Sequence, residues 1–144
     1  MSREAWEQLR SWNRDPDMAA ILTDIDGVLA PIVPTPDISE VSGEVRKLLR
    51  RLSGKYRVVA GISGRAAMDS LRLVGIEEIL YYGNHGFEVL RDGQIEVVPE
   101  ATPYKEKVEE LERLAREELG PLGAFIEEKG ITASIHYRNV SPEV

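Results

Sequence analysis

Two aspartates one residue apart, Asp24 and Asp26, close a short apolar run and are followed at once by Gly27. Carboxylates held this close repel, so both ionise comfortably only with a cation or a proton between them. The spacing suits a divalent-metal site or a nucleophile beside an acid, and it suits equally a turn that finishes a strand. Ser63-Gly64-Arg65 and Gly83-Asn84-His85-Gly86 likewise follow apolar runs. Near the other end of the chain, Glu127, Lys129, His136 and Arg138 collect acids and bases within a dozen residues.

The elements that must carry these groups follow from periodicity. Ala19 to Ile25 is apolar on both faces and bounded by Pro16 and Gly27, which predicts a buried strand with Asp24 and Asp26 on one side of it. Arg57 to Ile62 and Ile79 to Tyr82 predict two more strands. Between them, Asp37 to Glu40 has capping-box spacing ahead of Val45, Leu48, Leu49 and Leu52, and a second helix runs from Ala66 to Val74 with Gly75 as its stop. Strand, helix, strand, helix, strand at this spacing implies right-handed crossovers and a parallel sheet. Ligands bind along the carboxyl edge of such sheets. The three polar clusters should therefore meet there.

Outside this core, residues 3–13 predict a short helix that packs Trp6, Leu9 and Trp12 against the domain. Pro31, Pro34 and Pro36 stiffen the loop after the first strand. Phe87 to Val98 reads as a hairpin around Asp92-Gly93. Thr102-Pro103 caps a helix to Leu119, with Val108, Leu111, Ala115 and Leu119 inward and Glu109–Arg113 and Glu112–Arg116 as surface pairs. A turn at Lys129-Gly130 would pair Glu128 with Ile131 and Glu127 with Thr132. Ile126, Ile131, Ala133, Ile135 and Tyr137 then share one face, and Glu127, Thr132, Ser134, His136 and Arg138 the other.

Bulk composition narrows the function classes. The 144 residues suffice for one ordinary core plus a small appendage. With 42% hydrophobic and 30% charged residues the chain is globular and not disordered. A net charge of −7 without a basic stripe argues against nucleic acid or an anionic membrane as partner. With no cysteine, disulfides and thiolate chemistry are excluded. No apolar run approaches membrane-spanning length and the N-terminus lacks a signal-peptide core, so a cytoplasmic location is expected.

With these residues laid out, the chain resembles the trehalose-6-phosphate phosphatases of the haloacid-dehalogenase-like (HAD) superfamily. Asp24-Ile25-Asp26-Gly27-Val28-Leu29 is similar to the first motif, with Val28 in place of the more usual Thr, and Gly61-Ile62-Ser63-Gly64-Arg65 to the second. Gly83-Asn84-His85-Gly86-Phe87-Glu88 resembles the family's Gly-x-His-Gly-x-Glu segment. Glu127-Glu128-Lys129 and His136-Tyr137-Arg138 resemble its cap signature. The resemblance implies an α/β fold: a three-layer Rossmann-like HAD core over residues 1–100 with part of an α+β cap over 101–144. It implies that Asp24 attacks phosphorus to form an aspartyl phosphate. Asp26 protonates the departing sugar oxygen and then deprotonates the hydrolytic water. Mg²⁺ would bind a side-chain oxygen of Asp24 and the backbone carbonyl of Asp26. Ser63 and the amide of Gly64 would hydrogen-bond phosphoryl oxygens, Gly27, Arg65, His85 and Gly86 would join them in binding substrate or phosphate, and Glu127, Lys129, His136 and Arg138 would bind the sugar hydroxyls.

The family's later motifs, a Lys and an acidic metal-binding cluster, do not occur before Val144. The chain accordingly reads either as the N-terminal portion of a longer protein or as a naturally shortened relative, truncated before the last core strands. Its first strand would expose an apolar edge at residues 19–24, which implies pairing with another chain or poor solubility. The expected function is Mg²⁺-dependent hydrolysis of trehalose 6-phosphate. The alternatives are a phosphatase for a related glycosyl phosphate and a non-catalytic sugar-phosphate-binding or regulatory fragment. A phosphotransfer receiver domain also uses strand-end aspartates, but Asp-x-Asp-Gly with Ser-Gly-Arg is not its pattern.

Overall fold

Ile25 organises the first half of the chain: it is fully buried between its two aspartate neighbours, 0% exposed. In the computed structural model, which describes residues 2–33, 38–137 and 140–141, the chain divides into two compact units, 1–96 and 97–144. Residues 34–37 and Arg138 lie outside the described residues, and with them three residues of the Pro-rich loop, the start of the expected capping box and one expected sugar-binding residue.

The first unit holds α1 (Arg3–Arg14), β1 (Ala20–Asp24), α2 (Gly43–Ser53), β2 (Val58–Ile62), α3 (Ala67–Val74), β3 (Leu80–Gly83), β4 (Glu88–Arg91) and most of β5 (Gln94–Val97). The sheet order is β1-β2-β3-β4-β5. β1 runs parallel to β2 and β2 to β3, and β4 turns back antiparallel. This is the expected mostly parallel α/β sheet, extended by a hairpin whose turn has Asp92 at φ 50° and Gly93 at φ 76°. Leu49 of α2 and Ala67 and Val74 of α3 share one core with Val59, Ile76, Ile79, Tyr81 and Leu90. Arg46 ties the two helices together, donating to the carbonyls of Val74 (2.9 Å) and Leu73 (3.2 Å), which end α3 without intrahelical partners. Tyr81 anchors the centre: its hydroxyl donates to the Ile76 carbonyl at 2.6 Å, and burial pushes its pKa up to about 12.

Three expectations for this unit change. α2 begins at Gly43, because Ser42, not a capping box at Asp37 to Glu40, accepts the Val45 N–H at 3.3 Å. Trp6 and Trp12 are not packed away; they remain about half exposed (52% and 48%), and α1 has no fully buried residue. The Pro16–Met18 turn follows that helix at once; polar bonds link this region to the rest of the unit, the Lys55 ammonium donating to Asn13 Oδ1 and the Arg57 N–H to the Pro16 carbonyl at 3.3 Å. Leu48 also stays exposed, since the face of α2 that meets the core is centred on Leu49.

The second unit holds α4 (Lys105–Leu119), β6 (Phe125–Glu128) and β7 (Ala133–His136). A turn of 3-10 helix at Thr102–Tyr104 precedes α4, and no side chain caps the helix. Val108, Ala115 and Leu119 are part-buried, as the pattern predicts, but Glu112 is buried beside them in place of Leu111, which faces solvent. The expected surface pairs change as well. Arg113 bonds Glu117 at 2.9 Å, and Arg116 bonds Glu128 across to β6. The hairpin register also differs, with Glu128 opposite Ala133 and Glu127 opposite Ser134. The longer loop moves each partner by two residues, and an even slip leaves every side chain on its original face.

Candidate active site

Asp24 lies opposite Ile62 in the β1–β2 ladder, so the residue after Ile62, Ser63, emerges beside the aspartate pair. Burial of Ile25 fixes the rest: alternation leaves Asp24 exposed and Asp26 part-buried on either side of it. The turn that follows is tight. The Ile25 carbonyl accepts from Leu29 (3.0 Å) and Ala30 (2.9 Å), and the Gly27 N–H donates to the Ala30 carbonyl at 2.7 Å.

Asp26 is the most heavily held group of the site. Arg65 Nε–H donates to Oδ2 at 2.9 Å and Nη2–H to Oδ1 at 2.7 Å, and the Ser63 hydroxyl donates to Oδ2 at 3.3 Å. The hydrogen bonds from Arg65 hold the Asp26 carboxyl below its usual range, against a smaller opposing effect of burial and with help from the Arg65 charge and Ser63. Ser63 Oγ in turn accepts the Arg65 N–H at 3.1 Å, closing the Ser-Gly-Arg loop on itself. At Asp24, Oδ1 accepts the Ile25 N–H at 2.7 Å.

The third cluster packs against the second. The Asn84 N–H donates to the Arg65 carbonyl (2.8 Å), the His85 N–H to the Ser63 carbonyl (3.1 Å), and the Ser63 N–H to the Tyr82 carbonyl (2.9 Å). Asn84, His85 and Gly86 all adopt positive φ, at 51°, 59° and 93°. For two non-glycine residues in succession this is a strained path. It brings the His85 ring so close to Gly64 that a Cβ there would sit 2.6 Å from the imidazole. Asp24, Asp26, Gly27, Ser63, Gly64, Arg65, His85 and Gly86 thus gather at one edge of the sheet. Glu88 enters the sequence reading only as the last residue of the Gly-x-His-Gly-x-Glu segment, with no role at the site; its buried carboxylate accepts the Ala67 N–H at 2.6 Å. A signal existed: a Glu two residues before the buried Leu90 puts a charge on the inner face of β4.

The second unit carries a separate cluster. Glu127 Oε2 lies 2.8 Å from His136 Nε2 and 3.2 Å from Lys129 Nζ. Burial pushes the Glu127 carboxyl up, but the hydrogen bond from His136 and the charge and hydrogen bond of Lys129 outweigh it, so its pKa is lowered. The Phe125 ring flanks His136, centroid to centroid 5.7 Å.

A sequence model described as Trehalose-phosphatase matches residues 22–144. The chain belongs to the trehalose-phosphatase family. It is 33% identical over 131 residues to a trehalose-phosphate phosphatase of Mycobacterium leprae, a match covering 85% of this chain and 29% of that protein. It is 32% identical over 142 residues to probable trehalose-phosphate phosphatase G of Arabidopsis thaliana, covering 84% and 37%. Among solved structures, an Aspergillus fumigatus trehalose-6-phosphate phosphatase is 28% identical with a TM-score of 0.59, over 95% of this chain and 52% of that one. A trehalose-6-phosphate phosphatase related protein superposes with a TM-score of 0.76 at 20% identity, a likeness of fold, over 87% and 54%. The chain therefore spans about a third of the length of the curated family members it matches.

Proposed function

We propose that this chain carries the nucleophile, the acid–base group and part of the sugar-binding surface of a Mg²⁺-dependent phosphatase acting on trehalose 6-phosphate. The observation that carries the reading is the convergence of Asp24, Asp26, Ser63 and Arg65 at the carboxyl ends of β1 and β2, in a chain of this family.

In the first step a carboxylate oxygen of Asp24 attacks phosphorus, and the bond from phosphorus to the sugar oxygen breaks. Asp26 delivers a proton to the departing oxygen. In the second, Asp26 takes a proton from water, the water oxygen attacks phosphorus, and the bond from phosphorus to Asp24 breaks, releasing inorganic phosphate. Asp26 bound to Arg65 is ionised and ready for this second role. For the first it must carry a proton, which requires the Arg65 grip to loosen when a phosphoryl group competes for the guanidinium. Ser63 and the loop amides contribute hydrogen bonds to the phosphoryl oxygens.

The donor set fits a magnesium ion. Among the described residues, Oδ1 of the Asp24 carboxylate is taken up by the Ile25 amide, Oδ2 takes no hydrogen bond, and the Asp26 carbonyl accepts none. Mg²⁺ commonly takes one or two protein oxygens and completes its shell with water and substrate phosphate. When bound, it offsets the charge of a phosphate dianion approaching an anionic nucleophile.

Glu127, Lys129 and His136, with Arg138, form the sugar-recognising part of a cap domain spanning 101–144, the core spanning 1–100. The test is phosphate release from trehalose 6-phosphate with Mg²⁺, together with a mass increase of one phosphoryl group on Asp24. Both are expected for the wild-type chain and neither for Asp24→Asn. Hydrolysis that survives Asp24→Asn would overturn the mechanism. A second reading, a sugar-phosphate-binding module without turnover, draws on the Glu127–Lys129–His136 cluster, which can bind a sugar without chemistry. Tight binding of trehalose 6-phosphate with no release of phosphate would select it.

A further inference from the structure

α3 begins without a cap of its own. Its N-cap residue is Ala66, which has no side-chain acceptor, and the first helical residue, Ala67, is fully buried. An amide hydrogen at a helix start has no intrahelical partner, and leaving it unbonded out of reach of water is costly. The partner comes from across the sheet. Glu88 Oε1, at the start of β4, accepts the Ala67 N–H at 2.6 Å while the Glu88 residue is only 6% exposed.

The neighbouring glycine belongs to the same arrangement. Gly83 faces Glu88 in the β3–β4 ladder. A Cβ at Gly83 would collide with the backbone nitrogen of Ala67 and sit 2.8 Å from Glu88 Oε1. The helix start therefore rests directly on the strand end, and only glycine leaves room for it. Residues 63 to 67 are then held at both ends by residues 82 to 88. Asn84 and His85 bond the Arg65 and Ser63 carbonyls in front, and Glu88 holds Ala67 behind.

We propose that Glu88 is a positioning residue for the Ser63–Arg65 loop: through the Ala67 amide it sets where Ser63 and Arg65 stand relative to Asp26. A local cap such as Ser or Asp at position 66 would reach the amides of Met68 or Asp69 and leave that of Ala67 to another acceptor. Burying a carboxylate there exacts a desolvation cost that only good partners offset. The return is a fixed link between the loop and the sheet. Glu88 touches neither phosphate nor nucleophile, so it acts through the loop, and the inference rests on the reading of that loop as a phosphate site.

The experiment compares the wild-type chain with Glu88→Ala, Glu88→Asp and Glu88→Gln. Three measurements are made: thermal unfolding, the backbone amide resonances of Ser63 and Arg65, and affinity for inorganic phosphate with Mg²⁺. Glu88→Gln keeps an acceptor of the right reach and should leave the two resonances and the affinity within about twofold of wild type. Glu88→Asp keeps the charge but falls one methylene short. It should move both resonances and weaken phosphate binding roughly tenfold, as should Glu88→Ala. If Glu88→Ala does not fold, the Asp and Gln forms still decide. A Glu88→Asp form that loses thermal stability with unmoved Ser63 and Arg65 resonances would reduce Glu88 to a purely structural group. If the wild type binds no phosphate, the reading of the loop fails, and the resonances alone still test the link from Glu88 to the loop.

Discussion

The Arg65 guanidinium grips both oxygens of the Asp26 carboxylate, at 2.9 Å and 2.7 Å. The pair is part-exposed, with side-chain exposures of 23% for Arg65 and 37% for Asp26, so solvent screening limits its worth to about 0.5–1 kcal/mol. Its pH dependence has a definite sign. The folded-state pKa of Asp26 lies below its ordinary value of 3.8. The pair therefore stabilises the fold above that ordinary value, and the contribution fades as pH falls through the lowered one. Arg65→Met should remove this stabilisation at neutral pH and leave little difference from wild type in strong acid. Thermal unfolding across the acid range checks it; a constant gap between the two proteins would count against the pair.

Glu112 predicts the opposite slope. Burial and the negative charge of Glu128 raise its pKa, with Arg116 opposing and Glu109 adding to the rise. Its Oε1 is buried without a hydrogen-bond partner among the described residues. A carboxyl raised in the folded state weakens the fold above its folded pKa, and the penalty vanishes as pH drops below the unfolded one. Glu112→Gln, which removes the buried charge and its repulsion from Glu128, should stabilise the chain by about 1 kcal/mol at neutral pH. The gain should shrink in acid. Chemical denaturation at two pH values is the measurement, and a variant less stable at neutral pH would refute it.

What was legible in the sequence was whatever local pattern dictates. Period-two alternation around Ile25 sets the two aspartates, and Gly75 ends α3 in the left-handed conformation at φ 69°. The convergence of the clusters followed from sheet topology alone. Which side chain of a helix is covered at a given level is decided by tertiary partners, so Leu111 and Glu112 exchanged places. Hairpin register was missed because Lys129-Gly130 resembles a tight turn, while the ladder closes only at Glu128 and Ala133. The Glu88–Ala67 bond spans 21 residues, and no spacing rule announces it.

The free edge of β1 bears on association. Among the described residues β1 ends the sheet, and Leu22 is 60% exposed, with Ile62 also open to solvent. An apolar, unpaired edge is a template for another strand. Sedimentation should therefore reveal concentration-dependent self-association, relieved in Leu22→Lys. A wild-type chain that stays monomeric at high concentration would dispose of this expectation.

Glu127 offers a test that separates the proposed sugar recognition from phosphate recognition. Its Oε2 takes both the Lys129 ammonium, on a side chain only 10% exposed, and the His136 ring, so one carboxylate sets the position of two donors. Glu127→Gln keeps the shape and removes the charge that holds them. Affinity for trehalose 6-phosphate should fall roughly tenfold, the scale of one charge-assisted hydrogen bond. Affinity for inorganic phosphate should not change, because that ligand would engage Ser63 and Arg65 in the first unit. Calorimetric titration with both ligands separates the outcomes. Equal losses for the two would mean that Glu127 supports the fold and not the sugar. If neither affinity moves, the Glu127–Lys129–His136 cluster has no part in recognition.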